Sequence, residues 1–124
     1  LTYTHRNISA HIRGETNNHA EYNILNGAVN NWIHIAWTTS KDGKWDFYVN
    51  GSKIKSYNNK NIPASTTSEG DKIVLDKNYI GRSNWGHDPY FHGKIGDFRI
   101  FDQTLNDNQI KHIYENPKDP NDIE

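Results

Sequence analysis

The chain has 124 residues, enough for one domain with a modest core. Its 14 basic and 15 acidic residues leave a net charge of −1 with no long run of one sign, so it carries no electrostatic footprint for nucleic acid or an anionic membrane. Cysteine is absent, which excludes disulfides, thiolate nucleophiles and cysteine metal sites, and no apolar run is long enough to span a bilayer.

Only 33% of residues are hydrophobic and 12% are aromatic, so the core must lean on Trp, Tyr, Phe and Ile. Ile and the aromatics favour strands, which tilts the chain toward an all-β domain. Methionine is also absent and the first residues already read as strand, so a processed or excised piece of a longer polypeptide is expected.

Residues 1–13 read as a strand, or two strands with a bend. Residues 14–21, "GETNNHAE", read as a polar turn, and 22–27 as a short strand. "NNWIHIAWTTS" (30–40) is the strongest strand pattern. Ile33, Ile35 and Trp37 fall on one face and Trp32, His34 and Ala36 on the other, so this strand is expected to be central and covered on most of both sides. In "KWDFYVNGSKI" (44–54), Trp45, Phe47 and Val49 alternate with Asp46, Tyr48 and Asn50, the period of a half-buried strand. Asn50-Gly51 then supplies a two-residue turn in which both central positions take positive φ.

Residues 55–72 form a long polar connection, followed by short strand patterns at 72–75 and 78–83. "NWGHDPY" (84–90) is a loop of aromatic and polar groups, and 91–103 is the last long strand pattern. Within it Asp97 and Arg99 sit two apart on one face, placed to pair. "LNDNQIKHIYE" (105–115) is the one helix. Asn106 and Gln109 have the spacing of a capping box, and Leu105 and Ile110 that of a hydrophobic staple. Ile110, Ile113 and Tyr114 make a short apolar stripe, and so short a helix must be held by docking. There is no internal repeat of solenoid or propeller period.

Four pieces in this order resemble one superfamily: "WIHIAWTTSKDG" (32–43), "WDFYVNGSKI" (45–54), "NYIGRSNW" (78–85) and "FHGKIGDFRIFDQTLNDNQIKHIYE" (91–115). Together they look like the second half of a laminin-G-like, or concanavalin A-like, jelly roll. There a Trp-x-His-x-Ala strand (here Trp32, His34, Ala36) leads to a Tyr-Val-Asn-Gly hairpin (Tyr48 to Gly51). An Ile-Gly strand (Ile80, Gly81), a Gly-x-Ile step (Gly93, Ile95), a last strand and a closing helix follow. The resemblance implies an all-β, concanavalin A-like antiparallel β-sandwich with one short C-terminal helix. It implies a domain over residues 1–116 and a polar tail or linker over 117–124. Members usually have more early strands than residues 1–30 supply, so the first part of the sandwich is expected to lie outside this chain or to be abbreviated. The resemblance leaves room for calcium, but calcium-binding members often draw ligands from those early strands, so the residues seen do not support it and no cofactor is expected here.

A fold does not assign a function, so the chemistry is weighed separately. Some glucanases on this fold carry Glu-x-Asp-x-x-Glu on one strand. The nearest string, "EGDKIV" (69–74), lacks the third carboxylate, and no catalytic residue is expected. His87, Asp88 and His92 lie close together in sequence, but a stable metal site wants three or four converging ligands, and the plainer reading is a locally hydrogen-bonded loop. The best ligand candidate is 83–90: Trp85 and Tyr90 offer flat faces for sugar C–H groups, and Asn84, His87 and Asp88 offer polar groups for hydroxyls. A Trp85 folded back as a lid on the core edge is the competing reading. Trp32, Trp37 and Trp45 are expected in the core, and His34 as a hydrogen-bonded sandwich histidine. Asn7-Ile8-Ser9 and Asn50-Gly51-Ser52 are sequons of the kind an Asn-rich chain produces by chance.

The reading is a non-catalytic module that binds glycan or protein at an extracellular or particle surface. The alternative is a structural block of a large assembly, a virion or surface layer, whose sheet edge is completed by other chains.

Overall fold

Asn50 and Gly51 both take the left-handed region, with φ of 49° and 74°, so the Asn-Gly pair forms the expected tight turn. It joins β4 (Trp45–Val49) to β5 (Ser52–Tyr57), with Val49 opposite Ser52. The computed structural model describes residues 7–13, 17–23, 30–60, 79–82, 86–88 and 90–117. Among these, five strands form two sheets and one helix closes the chain.

β1 (Asn7–Arg13) and β2 (Asn17–Asn23) form an antiparallel pair, with Ala10 opposite Ala20. The polar stretch 17–21 is therefore strand and not the expected turn. Asn is a poor strand former, but an unbroken ladder across seven residue pairs outweighs that weak preference.

β3 (Ile35–Thr39), β4 and β5 form the second sheet, all antiparallel, in the order β3-β4-β5. The central strand of this sheet is β4, and not the 30–40 strand. β4 is also covered on both faces, where alternation predicts one: Trp45 is 0% exposed and Tyr48 1%. Two separate clusters explain this. On one face Trp45 and Phe47 pack with Trp37, Ile54 and Tyr57. Trp37 lies edge-on to Trp45 at 4.9 Å and stacks near Phe47 at 6.0 Å. On the other face Tyr48 packs with Leu105 and Ile110, joined by Ala36 and Ile113. Each fully buried large side chain contributes about 1.5–3 kcal/mol.

Between Phe47 and Tyr48 the β4–β5 register shifts, and Ile54 is the extra residue. This bulge lets Ile54 reach the Trp45 face while Lys53 stays opposite Tyr48.

α1 (Asp107–Glu115) starts as the sequence predicts. The Asn106 side chain accepts the Gln109 backbone N–H at 3.0 Å, and the Gln109 side chain accepts the Asn106 backbone N–H at 2.9 Å. Leu105 and Ile110 are buried together, as the staple spacing predicts. Tyr114 also closes over the hairpin turn: a Cβ on Gly51 would sit 2.9 Å from its ring.

Three further expectations fail among the described residues. Trp32 is 71% exposed, because it precedes β3 and no element covers it there. Residues 79–82 are a bend, turned by Gly81 at φ 74°, and not a strand. Residues 91–103 form no strand, although the sequence alternates, because alternation needs a neighbouring backbone to become a ladder. This segment is still tied to the sheet. Thr104 Oγ1 donates to the Thr39 carbonyl at 2.5 Å, and Gly96 lies against the Trp32 ring. The Asp97–Arg99 pair forms as predicted, with Arg99 Nε donating to Asp97 Oδ1 at 3.0 Å and a second bond beside it. The strand pattern at 72–75 lies outside the described residues.

Candidate binding surface

Residues 79–82 and 90–91 come together at one surface. The Phe91 backbone N–H donates to the Gly81 carbonyl at 2.7 Å, which fastens the two segments. Positive φ at Gly81 bends the chain so that Arg82 folds back toward Tyr79. Its guanidinium carbon lies 4.3 Å from the Tyr79 ring centre and 5.5 Å from that of Tyr90. At these distances the cation is attracted by both ring faces. Tyr79, Ile80, Tyr90 and Phe91 are all exposed, with Tyr90 at 71%.

Of the expected ligand residues, Tyr90 joins this surface. His87 and Asp88 stand beside each other, with Nε2 and Oδ1 4.0 Å apart, His87 largely in solvent. Asn84 and Trp85 lie outside the described residues. Tyr79, Arg82 and Phe91 were missed. A strand over 78–83 would have put Tyr79 and Arg82 on opposite faces, and only the bend at Gly81 brings them together. The legible signal was Gly81 itself, a residue that releases the chain from extended geometry.

No three His, Asp or Glu side chains converge among the described residues, His87, Asp88 and His92 included. Another charged cluster lies at the helix N-terminus. Lys53 Nζ is 2.7 Å from Asp107 Oδ1 and 3.2 Å from Asp46 Oδ2. Tyr48 donates to Asp107 at 2.8 Å, Ser56 to Asp46 at 2.5 Å, and Lys44 reaches Asp46 at 3.3 Å. The hydrogen bonds from Lys53 and Tyr48 hold Asp107 below the usual carboxylate range. Burial pushes Asp46 up, but Ser56, Lys53 and Lys44 outweigh it and hold that carboxyl low. Its bond to Asp107 drives the Lys53 ammonium up. An acid–base catalyst needs a group poised near neutrality, and these three are pushed away from it. Their effect is to fasten α1 to the sheet.

His34 is half-buried, its ring 5.8 Å from Tyr114. Burial lowers its pKa, and Arg99 adds to this while Asp97 opposes it, so the imidazole is neutral at pH 7. Its backbone is bonded, with His34 N–H donating to Asn50 Oδ1 at 3.0 Å. Its ring is not the satisfied one expected, because Nδ1 is buried without a partner among the described residues.

A family model described as the Concanavalin A-like lectin/glucanases superfamily matches residues 3–111. Among solved structures, the chain is similar to the 2.1 Å crystal structure of an S-layer domain-containing protein (residues 221–444) from Clostridium thermocellum ATCC 27405. The identity is 27% and the TM-score 0.53, over 87% of this chain and 51% of that one. The chain thus spans about half the length of that structure. No curated protein matches the sequence.

Proposed function

This chain belongs to the concanavalin A-like lectin/glucanases superfamily, and on that premise we propose that it is a non-catalytic recognition module that binds a glycan or protein outside the cell or at its surface. The observation that carries this reading is the exposed Tyr79–Arg82–Tyr90 arrangement. Tyrosine faces accept the C–H side of a sugar ring, and their hydroxyls and a guanidinium address its oxygens. The neighbouring Asp88 and His87 add further polar groups. The S-layer title of the similar structure supports a surface location. Asp46 and Asp107, bonded to Ser56, Tyr48 and Lys53, are each held below the usual carboxylate range and so do not supply the protonated carboxyl that glycoside hydrolysis needs.

The test is a glycan-array screen of the wild type beside Tyr79→Ala and Tyr90→Ala, each shown to be folded by circular dichroism. Binding by the wild type that both variants lose supports a lectin-like role and assigns it to this surface. A folded wild type that binds no glycan removes the glycan half of the reading.

A second reading is a structural block of a surface layer. It is favoured by the exposed apolar side chains gathered in one segment, Ile95, Phe98, Ile100 and Phe101, with Ile100 at 83%. Where such side chains form one patch, other chains tend to cover it. Sedimentation velocity separates the readings: ordered self-association supports the block, and a monomer at every concentration counts against it.

A further inference from the structure

We propose a site for a zinc-class divalent cation on the hairpin of β1 and β2, with His11, His19 and Glu21 as its ligands. It uses none of the residues of the Tyr79–Arg82–Tyr90 surface and does not rest on that reading. The backbone register places His11 directly opposite His19, and Ser9 directly opposite Glu21. Residues opposite each other share a face of the pair, and so do residues two apart on one strand. His11, His19 and Glu21 therefore lie on one face. A slip of one residue would put the two histidines on opposite faces, so the juxtaposition belongs to this register alone.

The spacing suits one ion. Directly opposite Cβ atoms stand about 4.5–5.5 Å apart, and diagonal neighbours about 7–8 Å, within reach of long side chains. His11 and His19 are the direct pair, and Glu21 is the diagonal neighbour of His11. Two histidines and one glutamate are a donor set that zinc takes, with its fourth position left to water. The register brings these residues to one face, and the ion draws them onto one point. Imidazole nitrogen also decides the class of metal, because calcium and magnesium seek oxygen donors. Arg13 shares this face, but its register position lies on the side of His11 away from Glu21.

The hairpin has a use for such an ion. Among the described residues β1 and β2 form a two-stranded sheet of their own, in hydrogen bonds with neither β3, β4 nor β5. A two-stranded hairpin by itself is marginal in water. Its ladder is rich in asparagine, with Asn7 opposite Asn23 and Asn17 opposite Arg13, and asparagine is a poor strand former. A cation held from both strands binds the paired form and not the open one, which stabilises the pairing and its register.

Isothermal titration of the whole chain with zinc chloride tests this, with calcium chloride as the oxygen-seeking counterpart. The variants are His11→Ala, His19→Ala, Glu21→Gln and His87→Ala, each checked by circular dichroism. The expected result is one zinc per chain, weakened at least about tenfold by each hairpin variant and unchanged in His87→Ala, with calcium at least about tenfold weaker than zinc. Zinc should also slow amide hydrogen exchange across β1 and β2 of the wild type at least about tenfold, a readout that decides the matter if a hairpin variant fails to fold. Absence of saturable zinc binding, calcium bound as tightly as zinc, binding indifferent to either histidine variant, or hairpin exchange unmoved by zinc overturns the proposal. Zinc binding lost only in His87→Ala places the metal on the 87–92 loop and overturns it too.

Discussion

Replacing Gly43 with alanine strikes one of the most constrained backbone positions in the chain. Gly43 is buried, with φ of 75°. It closes the turn between β3 and β4, its N–H donating to the Ser40 carbonyl at 3.1 Å. Its own carbonyl accepts the Lys60 N–H at 2.9 Å, which ties the end of β5 back to this turn. A Cβ at Gly43 would stand 2.6 Å from the Lys60 carbonyl oxygen and 3.3 Å from its nitrogen, both backbone atoms. Two costs follow. The left-handed conformation costs a residue with a side chain about 1–2 kcal/mol. Moving the Lys60 backbone away gives up its hydrogen bond, about 0.5–1.5 kcal/mol more. The sum is about 1.5–3.5 kcal/mol, a large part of the stability of a domain this size. Urea unfolding followed by tryptophan fluorescence reads it directly, since Trp45 is fully buried. Gly86→Ala is the control, because nothing among the described residues lies within 4 Å of its Cβ position, and it should stay within about 0.5 kcal/mol of wild type. A Gly43→Ala protein as stable as Gly86→Ala would refute the reasoning.

Two further outcomes test the frame that holds sheet and helix together. Asn106→Ala removes the acceptor for the Gln109 N–H and should cost about 0.5–2 kcal/mol, read by thermal unfolding in the far-ultraviolet, while Asn106→Gly should cost less than half as much; equal losses would show that the cap is not the cause. Because Asp46 is held below its ordinary pKa in the folded state, its contribution is complete above the unfolded value, near pH 4, and is lost as pH falls through the lower folded value. Urea midpoints should therefore drop as pH falls below about 4, and Asp46→Asn should flatten part of that drop; an unaltered acid slope in the variant would remove Asp46 as its source.

The belonging of the chain to a lectin-and-glucanase superfamily was legible before any coordinates, because four local patterns occur in the family's order over residues 32–115. Local geometry was legible for a related reason. The Asn50-Gly51 turn, the Asn106–Gln109 box and the Asp97–Arg99 pair each join residues at most three positions apart. Backbone stereochemistry and short reach settle such pairs before the rest of the chain is placed.

What tertiary structure alone decided lies at longer range. Lys53 meets Asp107, and Tyr48 lies under Leu105 and Ile110, only because the sheet and helix are packed. The second covered face of β4 exists for the same reason, and no alternation in "WDFYV" announces it. The loss of the expected strand at 91–103 runs the other way: an alternating sequence stays out of a sheet unless another backbone offers its hydrogen bonds. The candidate surface needed both kinds of information. Tyr90 was visible as an exposed aromatic in a polar loop, but its partner Arg82 was not. A single left-handed glycine, Gly81, decides which way that arginine turns. Sequence settles what neighbouring residues can do to one another, while packing settles which distant residues become neighbours.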